Sequence, residues 1–546
     1  MGATVTEWNF ADVWEAVADH LADAAALTHG ERTVSWRELD RRADGLARWL
    51  LDQGVKRQDK VALYLTNCPE YLEATFAAFK ISLVPINTNY RYADAELAYL
   101  WENADAVAVV FHGSFTERAD RVRHLVPRVR SWLWVDDGSG PCPEWALPYE
   151  DAVATPTGER VRAPWGRGAD DLLMLYTGGT TGMPKGVMWR QDDLFARLNA
   201  SGFRRYDQDA GLSDVHAQLE GGESGMTLLP ACPLMHGTGC FTALECLAEG
   251  GRVVTLASRQ FDPVELLDTV EREQVNGVVI VGDAFAKPIL AALDDHPGRW
   301  DLTSLVGMIS SGVMWSEETK QGLLKHHPGM LLIDAFSSSE ALGMGTSVSS
   351  GADASQTARF TLGPEVRVLD ADGRDVVPGS GTVGVLALGG RIPLGYYKDE
   401  DKSASTFRVI DGARYSVPGD FAEVAEDGTI HLLGRGSACI NTGGEKVYPE
   451  EVEEAVKTFD GIVDAVAVGI PNERFGEEIV AVVELAPGVP PDQVEPQAVI
   501  DHVKAQLASY KAPKRVRLVE TIGRSPSGKV DYGRLRREAT AWAGGE

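Results

Sequence analysis

Residues 176–186 carry the densest set of groups that could bind phosphate. They read Tyr-Thr-Gly-Gly-Thr-Thr-Gly-Met-Pro-Lys-Gly and follow a strand-like apolar run, Asp171–Leu175. Glycines let backbone approach a ligand closely, and successive N–H groups of such a loop form an anion-binding concavity. The threonine hydroxyls and one lysine add hydrogen-bond donors and positive charge. The segment therefore predicts a polyphosphate-binding loop made of Thr177, Gly178, Gly179, Thr180, Thr181, Gly182 and Lys185.

Lys529 is a second cation on a Gly/Ser/Pro-rich segment, residues 523–529. The segment approximates the GxxxxGK[ST] phosphate loop, but Val530 stands where a Ser or Thr would hold Mg²⁺. Only 17 residues follow Lys529, too few for a nucleotide-binding βαβ domain. We therefore reject a Walker-type loop and keep Lys529 as a catalytic candidate on a loop that can move.

Six further segments, in order along nearly the whole chain, extend the pattern of residues 177–186. They are PLMHGTG (233–239), SSGVM (310–314), DAFSSSE (334–340), YSVPGD (415–420), the run from Gly434-Arg435 to Glu453, and PSGK (526–529). Together they resemble the motifs of the adenylate-forming superfamily, which includes acyl-CoA synthetases, luciferases and adenylation domains of peptide synthetases. Six motifs in the correct order make this resemblance specific.

The resemblance implies an ATP site. The backbone of residues 311–313 would pack against adenine, Asp420 would bind the ribose hydroxyls through charge-assisted hydrogen bonds, and Arg435 would contact the nucleotide or stabilise a hinge. The implied nucleotide-binding residues after the phosphate loop are Ser311, Gly312, Val313, Asp334, Phe336, Ser339, Asp420 and Arg435. Glu340, with Thr177, would coordinate Mg²⁺, a hard cation that prefers oxygen ligands.

The same resemblance implies the catalytic and coenzyme A residues. Lys529, Glu340 and Lys185 would form the catalytic set, since attack on a phosphate builds negative charge that fixed cations stabilise. Gly443 and Gly444 would let the pantetheine arm of coenzyme A pass close to the backbone.

The resemblance also implies that His236, Gly312 and Ser337 line the acyl site. Ser337 occupies a position where acetate-restricted relatives have Trp, and a small residue leaves volume for a bulky acyl group. Longer segments, among them GRIPLGYYKDE (390–400), resemble actinobacterial synthetases that act on fatty acids and steroid side-chain carboxylates. Phe336 and Ser339 replace the usual Tyr and Thr of their motif, which alters the surface that would contact adenine.

The resemblance therefore implies an AMP-forming acyl-CoA synthetase. A carboxylate attacks the α-phosphate of ATP to give acyl-AMP and pyrophosphate, and the CoA thiol then displaces AMP. No protein nucleophile is needed, in keeping with the absence of a convincing Ser-His-Asp or Cys-His combination in the sequence. Two alternatives stay open on the same fold: a peptide-synthetase-type or aryl-acid adenylating enzyme, and a luciferase-like oxygenase.

Alternating helix and strand patterns must position these residues. A capping box at Ser35–Glu38 starts a helix with apolar residues on one face, and Val61–Leu65, Ala106–Phe111 and Gly277–Val281 read as buried strands. Such alternation predicts an α/β fold with mostly parallel sheets.

The expected organisation is a large N-terminal domain followed by a small one. The large domain, residues 1–433, comprises layered α/β subdomains and a β-rich subdomain after residue 360, and it binds ATP and the acyl group. A hinge at residues 434–437 precedes a small mobile α+β domain, residues 438–546, that carries the catalytic lysine. Ser437 stands at a hinge position often filled by Asp or Lys, so the identity of the pivot residue stays open.

Charge and composition limit the partners. With 52 Lys and Arg against 80 Asp and Glu, the formal net charge of −28 disfavours a general nucleic-acid binder. Six scattered cysteines suggest reduced thiols, and no segment reads as a secretory signal or a membrane span. We expect a cytoplasmic enzyme whose partners are a small carboxylate and coenzyme A, with a homodimer left open.

Overall fold

The computed structural model of the chain describes residues 7–177, 183–207, 209–313, 315–351, 356–435, 440–442, 445–472, 476–507, 509–524 and 530–545. These residues form two compact units. Unit 1 contains residues 1–357 and 389–416, and unit 2 contains residues 358–388 and 417–546. The domain bounds expected from the sequence, with a hinge at 434–437, stay a prediction.

The helices and strands follow in chain order. The helices are α1 (Phe10–His20), α2 (Trp36–Asp52), α3 (Pro69–Lys80), α4 (Asp94–Asn103), α5 (Thr116–Arg123), α6 (Tyr149–Val153), α7 (Gln191–Ser201), α8 (Leu212–Leu219), α9 (Gly237–Ala248), α10 (Pro263–Arg272), α11 (Asp283–Asp295), α12 (Glu317–His326), α13 (Glu400–Thr406), α14 (Pro449–Lys457), α15 (Pro496–Gln506) and α16 (Tyr532–Gly544). The first strands are β1 (Ala25–His29), β2 (Arg32–Ser35), β3 (Lys60–Tyr64), β4 (Val84–Asn87), β5 (Ala106–His112), β6 (Ser131–Val135), β7 (Leu147–Pro148), β8 (Leu172–Thr177), β9 (Lys185–Arg190), β10 (Thr227–Pro230), β11 (Arg252–Thr255), β12 (Gly277–Ile280), β13 (Gly307–Ser311), β14 (Leu331–Ser338) and β15 (Ala341–Ser349). The later strands are β16 (Arg359–Leu362), β17 (Val366–Leu369), β18 (Val383–Leu388), β19 (Gly395–Tyr396), β20 (Phe407–Ile410), β21 (Ala413–Ser416), β22 (Asp420–Val424), β23 (Ile430–Arg435), β24 (Ile440–Thr442), β25 (Glu445–Val447), β26 (Ile462–Asn472), β27 (Gly476–Leu485) and β28 (Arg515–Val519).

Unit 1 is built on two mostly parallel sheets. One has the order β19-β9-β8-β4-β3-β5-β6-β7, in which β9 runs antiparallel to both neighbours. The other runs β2-β1-β11-β10-β12-β13-β14-β15, with parallel pairing from β1 to β14 and antiparallel pairs at its ends. The parallel α/β prediction is confirmed.

Unit 2 contains two smaller sheets. Strands β17, β18, β22, β23 and β16 pair antiparallel. Strands β25, β24, β27 and β26 form an antiparallel run, with β28 parallel to β27. Alternate residues of β26 face opposite sides of this sheet, so that Ala465 and Ala467 pack towards α14 and α15 while Val466 and Val468 pack towards α16.

The α+β order expected at the C-terminal end is thus found. Within the described part of the chain five cysteines are free thiols, and four of these are buried. None of the helices in that part combines the length and the apolar character that crossing a bilayer requires.

Candidate active site

The predicted phosphate loop connects two paired strands of unit 1. Thr177 ends β8 and Lys185 begins β9, and the two residues are antiparallel partners. The loop is therefore closed at its base by the last pair of a β-ladder. The predicted residues Gly178, Gly179, Thr180, Thr181 and Gly182 lie outside the described residues.

Lys185 forms an ion pair with Asp399, which lies just after β19. The Lys185 Nζ contacts Oδ2 of Asp399, and both side chains remain partly accessible, at 35% and 28% exposure. The lysine hydrogen bond is the largest cause of a lowered Asp399 pKa. A cation at the base of the loop is thus held by a fixed carboxylate and still reaches solvent.

Glu340 lies at the tip of a tight hairpin. Ser338 on β14 pairs with Ala341 on β15, so that Ser339 and Glu340 form the two-residue turn. The Trp189 indole N–H donates to the Ser339 carbonyl oxygen over 3.0 Å. The Tyr396 hydroxyl donates to Glu340 Oε1 over 2.8 Å, and Glu340 is only 8% exposed. Two aromatic side chains thus fix both residues of the turn.

The environment of Glu340 fits a cation ligand. Among the residues that the structure describes, no Lys, Arg or His forms an ion pair with this buried carboxylate. Burying a carboxylate without a counter-charge is costly, and a bound cation removes that cost. The Glu340 carboxylate and the Thr177 hydroxyl are hard oxygen donors of the kind that Mg²⁺ takes, and these two side chains would hold the ion.

Asp334 lies deep in the same unit, on β14. It pairs in parallel register with Ser310 on β13 and is only 4% exposed. Desolvation raises its pKa to about 7, Lys320 opposes the rise, and Asp283 adds to it. Burial therefore favours the protonated form of Asp334 far more than it is favoured in an exposed aspartate.

The predicted adenine segment, residues 311–313, begins at Ser311, the last residue of β13. Ser311 is buried, Val313 is half-buried, and Gly312 has a φ of +96°, a left-handed conformation that favours glycine. A Cβ at Gly312 would lie 3.8 Å from Thr238 Oγ1 and from Val281 Cγ1. The structure thus brings the segment against the first turn of α9.

Two candidate acyl-site residues lie at element ends of unit 1. His236 directly precedes α9 and is half-buried. Ser337 lies at the bulge between Phe336 and Ser338, where its hydroxyl accepts a hydrogen bond of 3.0 Å from the Gly343 N–H. The bulge keeps Ser337, like Phe336 and Ser339, half-buried, and the role of Ser337 in acyl size stays a prediction.

The remaining candidates belong to unit 2. Asp420 begins β22, is 5% exposed, and pairs across the ladder with the Arg435 backbone on β23. The structure thus brings these two sequence-predicted positions together. Gly443, Gly444 and Lys529 lie outside the described residues, so their predicted roles stay predictions.

Sequence reasoning did not assign roles to three residues that contact this site. Trp189, Tyr396 and Asp399 hold Ser339, Glu340 and Lys185. The segments that contain these three residues resemble the family. No spacing rule, however, connects residues that lie so far from their partners in the chain.

The sequence matches the AMP-binding enzyme family over residues 13–397 and the AMP-binding enzyme C-terminal domain over residues 451–529. It is 39% identical over 532 residues to a medium/long-chain-fatty-acid–CoA/3-oxocholest-4-en-26-oate–CoA ligase of Mycolicibacterium smegmatis, covering 96% of this chain and 95% of that protein. It is also 39% identical to a 3-oxocholest-4-en-26-oate–CoA ligase of Rhodococcus rhodochrous, covering 96% and 94%.

A solved structure supports the fold. The anthranilate CoA ligase AuaEII in complex with anthranoyl-AMP superposes with a TM-score of 0.83 at 20% identity, covering 99% of this chain and 98% of that one. This likeness extends over both units and concerns the fold alone.

Proposed function

The chain belongs to the AMP-binding enzyme family, and on that premise we propose that it joins a bulky hydrophobic carboxylate to coenzyme A. The reaction consumes ATP, passes through an acyl-AMP intermediate and releases AMP and pyrophosphate. The observation that carries the proposal is the 39% identity, over almost the whole chain, to ligases named for fatty acids and a steroid side-chain acid.

The contacts of unit 1 support the first half-reaction. When the carboxylate attacks the α-phosphate, negative charge develops on the phosphoryl oxygens, and fixed cations stabilise it. Lys185 offers its ammonium at the base of the phosphate loop, and Asp399 limits where that ammonium can lie. Mg²⁺, when bound at Glu340, would supply further charge neutralisation.

For the second half-reaction we propose that the CoA thiol reaches acyl-AMP along Gly443 and Gly444. Lys529 would serve the first half-reaction only. Both assignments rest on the motif resemblance. They assign Lys529 to adenylation and Gly443 and Gly444 to thioester formation.

The proposed substrates are medium and long fatty acids or steroid side-chain carboxylates. Ser337 supports this choice because a small side chain leaves room that a large one would fill. We expect the enzyme to work in the cytoplasm, where ATP and coenzyme A are available.

A competition assay tests the substrate class. The purified chain is incubated with ATP, Mg²⁺, coenzyme A and an equimolar mixture of acetate, benzoate, C8–C18 fatty acids and C22–C24 steroid carboxylates, and the thioesters are quantified by mass spectrometry. We expect fatty or steroidal thioesters to dominate. Preference for acetate or for benzoate would refute the proposed substrate class.

A further inference from the structure

Residues 395–399 contact both chemically important side chains of unit 1. The segment begins as β19, in which Gly395 pairs with Met188 and Tyr396 with Val187 of β9. The Tyr397 N–H then donates to the Gly186 carbonyl oxygen over 2.8 Å. The segment therefore runs beside the first residues of β9, which begins at Lys185.

Tyr396 restrains the Glu340 carboxylate. Its side chain is buried, and its hydroxyl donates to Oε1 over 2.8 Å in a buried hydrogen bond. A carboxylate oxygen has two lone pairs, so this hydrogen bond restrains the rotation of the Glu340 carboxylate and still leaves acceptor sites for a cation. A buried hydroxyl at a fixed strand position thus selects the orientation of Glu340.

Asp399 restrains Lys185 in a similar way. One of its oxygens, Oδ1, accepts a hydrogen bond of 3.0 Å from the Lys402 N–H and so caps α13, while Oδ2 contacts the lysine. The cap fixes the carboxylate on the helix. A lysine ammonium has three donors, so two remain for ligand oxygens when one is bound to Asp399.

Tyr397, the residue between these contacts, faces elsewhere. Its hydroxyl donates to Asp105 Oδ2 over 2.8 Å and accepts from Lys60 Nζ over 3.2 Å. Tyr397 lies after the end of β19, in the turn that Tyr396 and Asp399 close by an antiparallel bridge, so its side chain has contacts separate from those of Tyr396. Tyr397 is therefore a matched control, with the same residue type on the same segment.

We infer that residues 395–399 are a positioning element for adenylation, in which Tyr396 orients Glu340 towards the cation and Asp399 holds Lys185 at the phosphate loop. The inference rests on the proposed function, because it assigns these contacts to ATP and Mg²⁺. Tyr396 and Asp399 act through Glu340 and Lys185 and are not themselves expected to touch ATP.

The Tyr396→Phe variant tests the first contact. Loss of a partner that orients a metal ligand typically costs about 10–100-fold in metal affinity, so we expect at least about a tenfold higher Mg²⁺ concentration at half-maximal binding of ATP, measured by calorimetry. The KM for the carboxylate should stay unchanged, and Tyr397→Phe should stay within about twofold of the wild type.

The Asp399→Asn variant tests the second contact. Asn caps helices as well as Asp does, so α13 is preserved while the ion pair is lost. We expect the affinity for ATP to fall by about 3–10-fold, the usual effect of one hydrogen bond. Asp262→Asn is the control, because Asp262 caps α10 in the same way and forms no ion pair within the described part of the chain.

Double-mutant cycles decide between positioning and a general structural role. If the inference holds, Tyr396→Phe adds nothing in a Glu340→Gln background, and Asp399→Asn adds nothing in a Lys185→Ala background. Additive losses in both cycles would overturn it. An inactive wild type would refute the proposed function instead, and the calorimetric ATP affinities of the same variants would still decide the positioning inference.

Discussion

Replacing Asp334 with Asn should change the pH dependence of stability. Asp334 is 4% exposed, and burial raises its pKa from 3.8 to about 7. At a pH between these two pKa values, the folded state therefore keeps a proton that the unfolded state has already released. The contribution of Asp334 to the free energy of unfolding therefore falls as pH rises from about 4 to about 7 and is level above that range. Asn mimics the neutral acid and does not titrate.

The size of the effect follows from the shift. A pKa raised by about three corresponds to about 4 kcal/mol in the free energy of unfolding. The wild type loses this full amount above pH 7 and loses none of it near pH 4. In a unit of several hundred residues, 1 kcal/mol moves Tm by roughly 1–2 °C, so Asp334→Asn should exceed the wild type by about 5 °C at pH 8. The two proteins should have nearly equal Tm near pH 4.

Calorimetry at fixed scan rate from pH 4 to pH 9 measures this difference. Asp52→Asn, which removes an exposed carboxylate at the end of α2, is the control and should follow the wild type throughout. The reasoning is refuted if the difference between Asp334→Asn and the wild type is the same at pH 4 and pH 8.

Four further substitutions test the site. Ser337→Trp should lower kcat/KM for C16 and steroidal acids at least about tenfold more than for acetate, because an inserted ring fills the space that Ser leaves. Equal losses for all these acids in steady-state assays would contradict a place for Ser337 in the wall of the acyl site. Glu340→Ala should raise the Mg²⁺ requirement and slow pyrophosphate exchange about 10²-fold, and near wild-type exchange at limiting Mg²⁺ would exclude its role as a ligand. Lys529→Ala should slow adenylation about 10²–10³-fold and spare thioester formation from supplied acyl-AMP, whereas Gly444→Leu should do the reverse. Equal losses in both half-reactions for either variant would contradict the expectation that rotation about the predicted hinge brings Lys529 and Gly444 to the substrate in turn.

Local patterns predicted the elements well because their signals lie within a few residues. The capping box at Ser35 starts α2 as expected, with its hydroxyl accepting the Glu38 N–H over 3.2 Å. Strand β26 shows the limit of this approach. The apolar run Ala465–Gly469 covers only the middle of this strand, because pairing with β27 extends it to Ile462–Asn472 through polar and proline positions. Cross-strand pairing, not local hydrophobicity, sets those ends.

The site was predicted residue by residue but not as a network. The motif places Glu340, yet its partner Tyr396 lies 56 residues away, and Asp399 lies 214 residues from Lys185. Both partners belong to residues 389–416, which return to unit 1 between two segments of unit 2. Only the three-dimensional pairing of β19 with β9 brings them to the site, and no local pattern encodes that pairing.

Carboxylate-dependent exchange of labelled pyrophosphate into ATP tests the central claim most directly. The purified chain is supplied with ATP, Mg²⁺ and either palmitate or a C22 steroid acid, without coenzyme A. We predict exchange that requires the carboxylate, followed by stoichiometric AMP and acyl-CoA when coenzyme A is added. Absence of exchange with every hydrophobic acid, or exchange that yields no thioester on addition of coenzyme A, would contradict the assignment as an AMP-forming acyl-CoA synthetase.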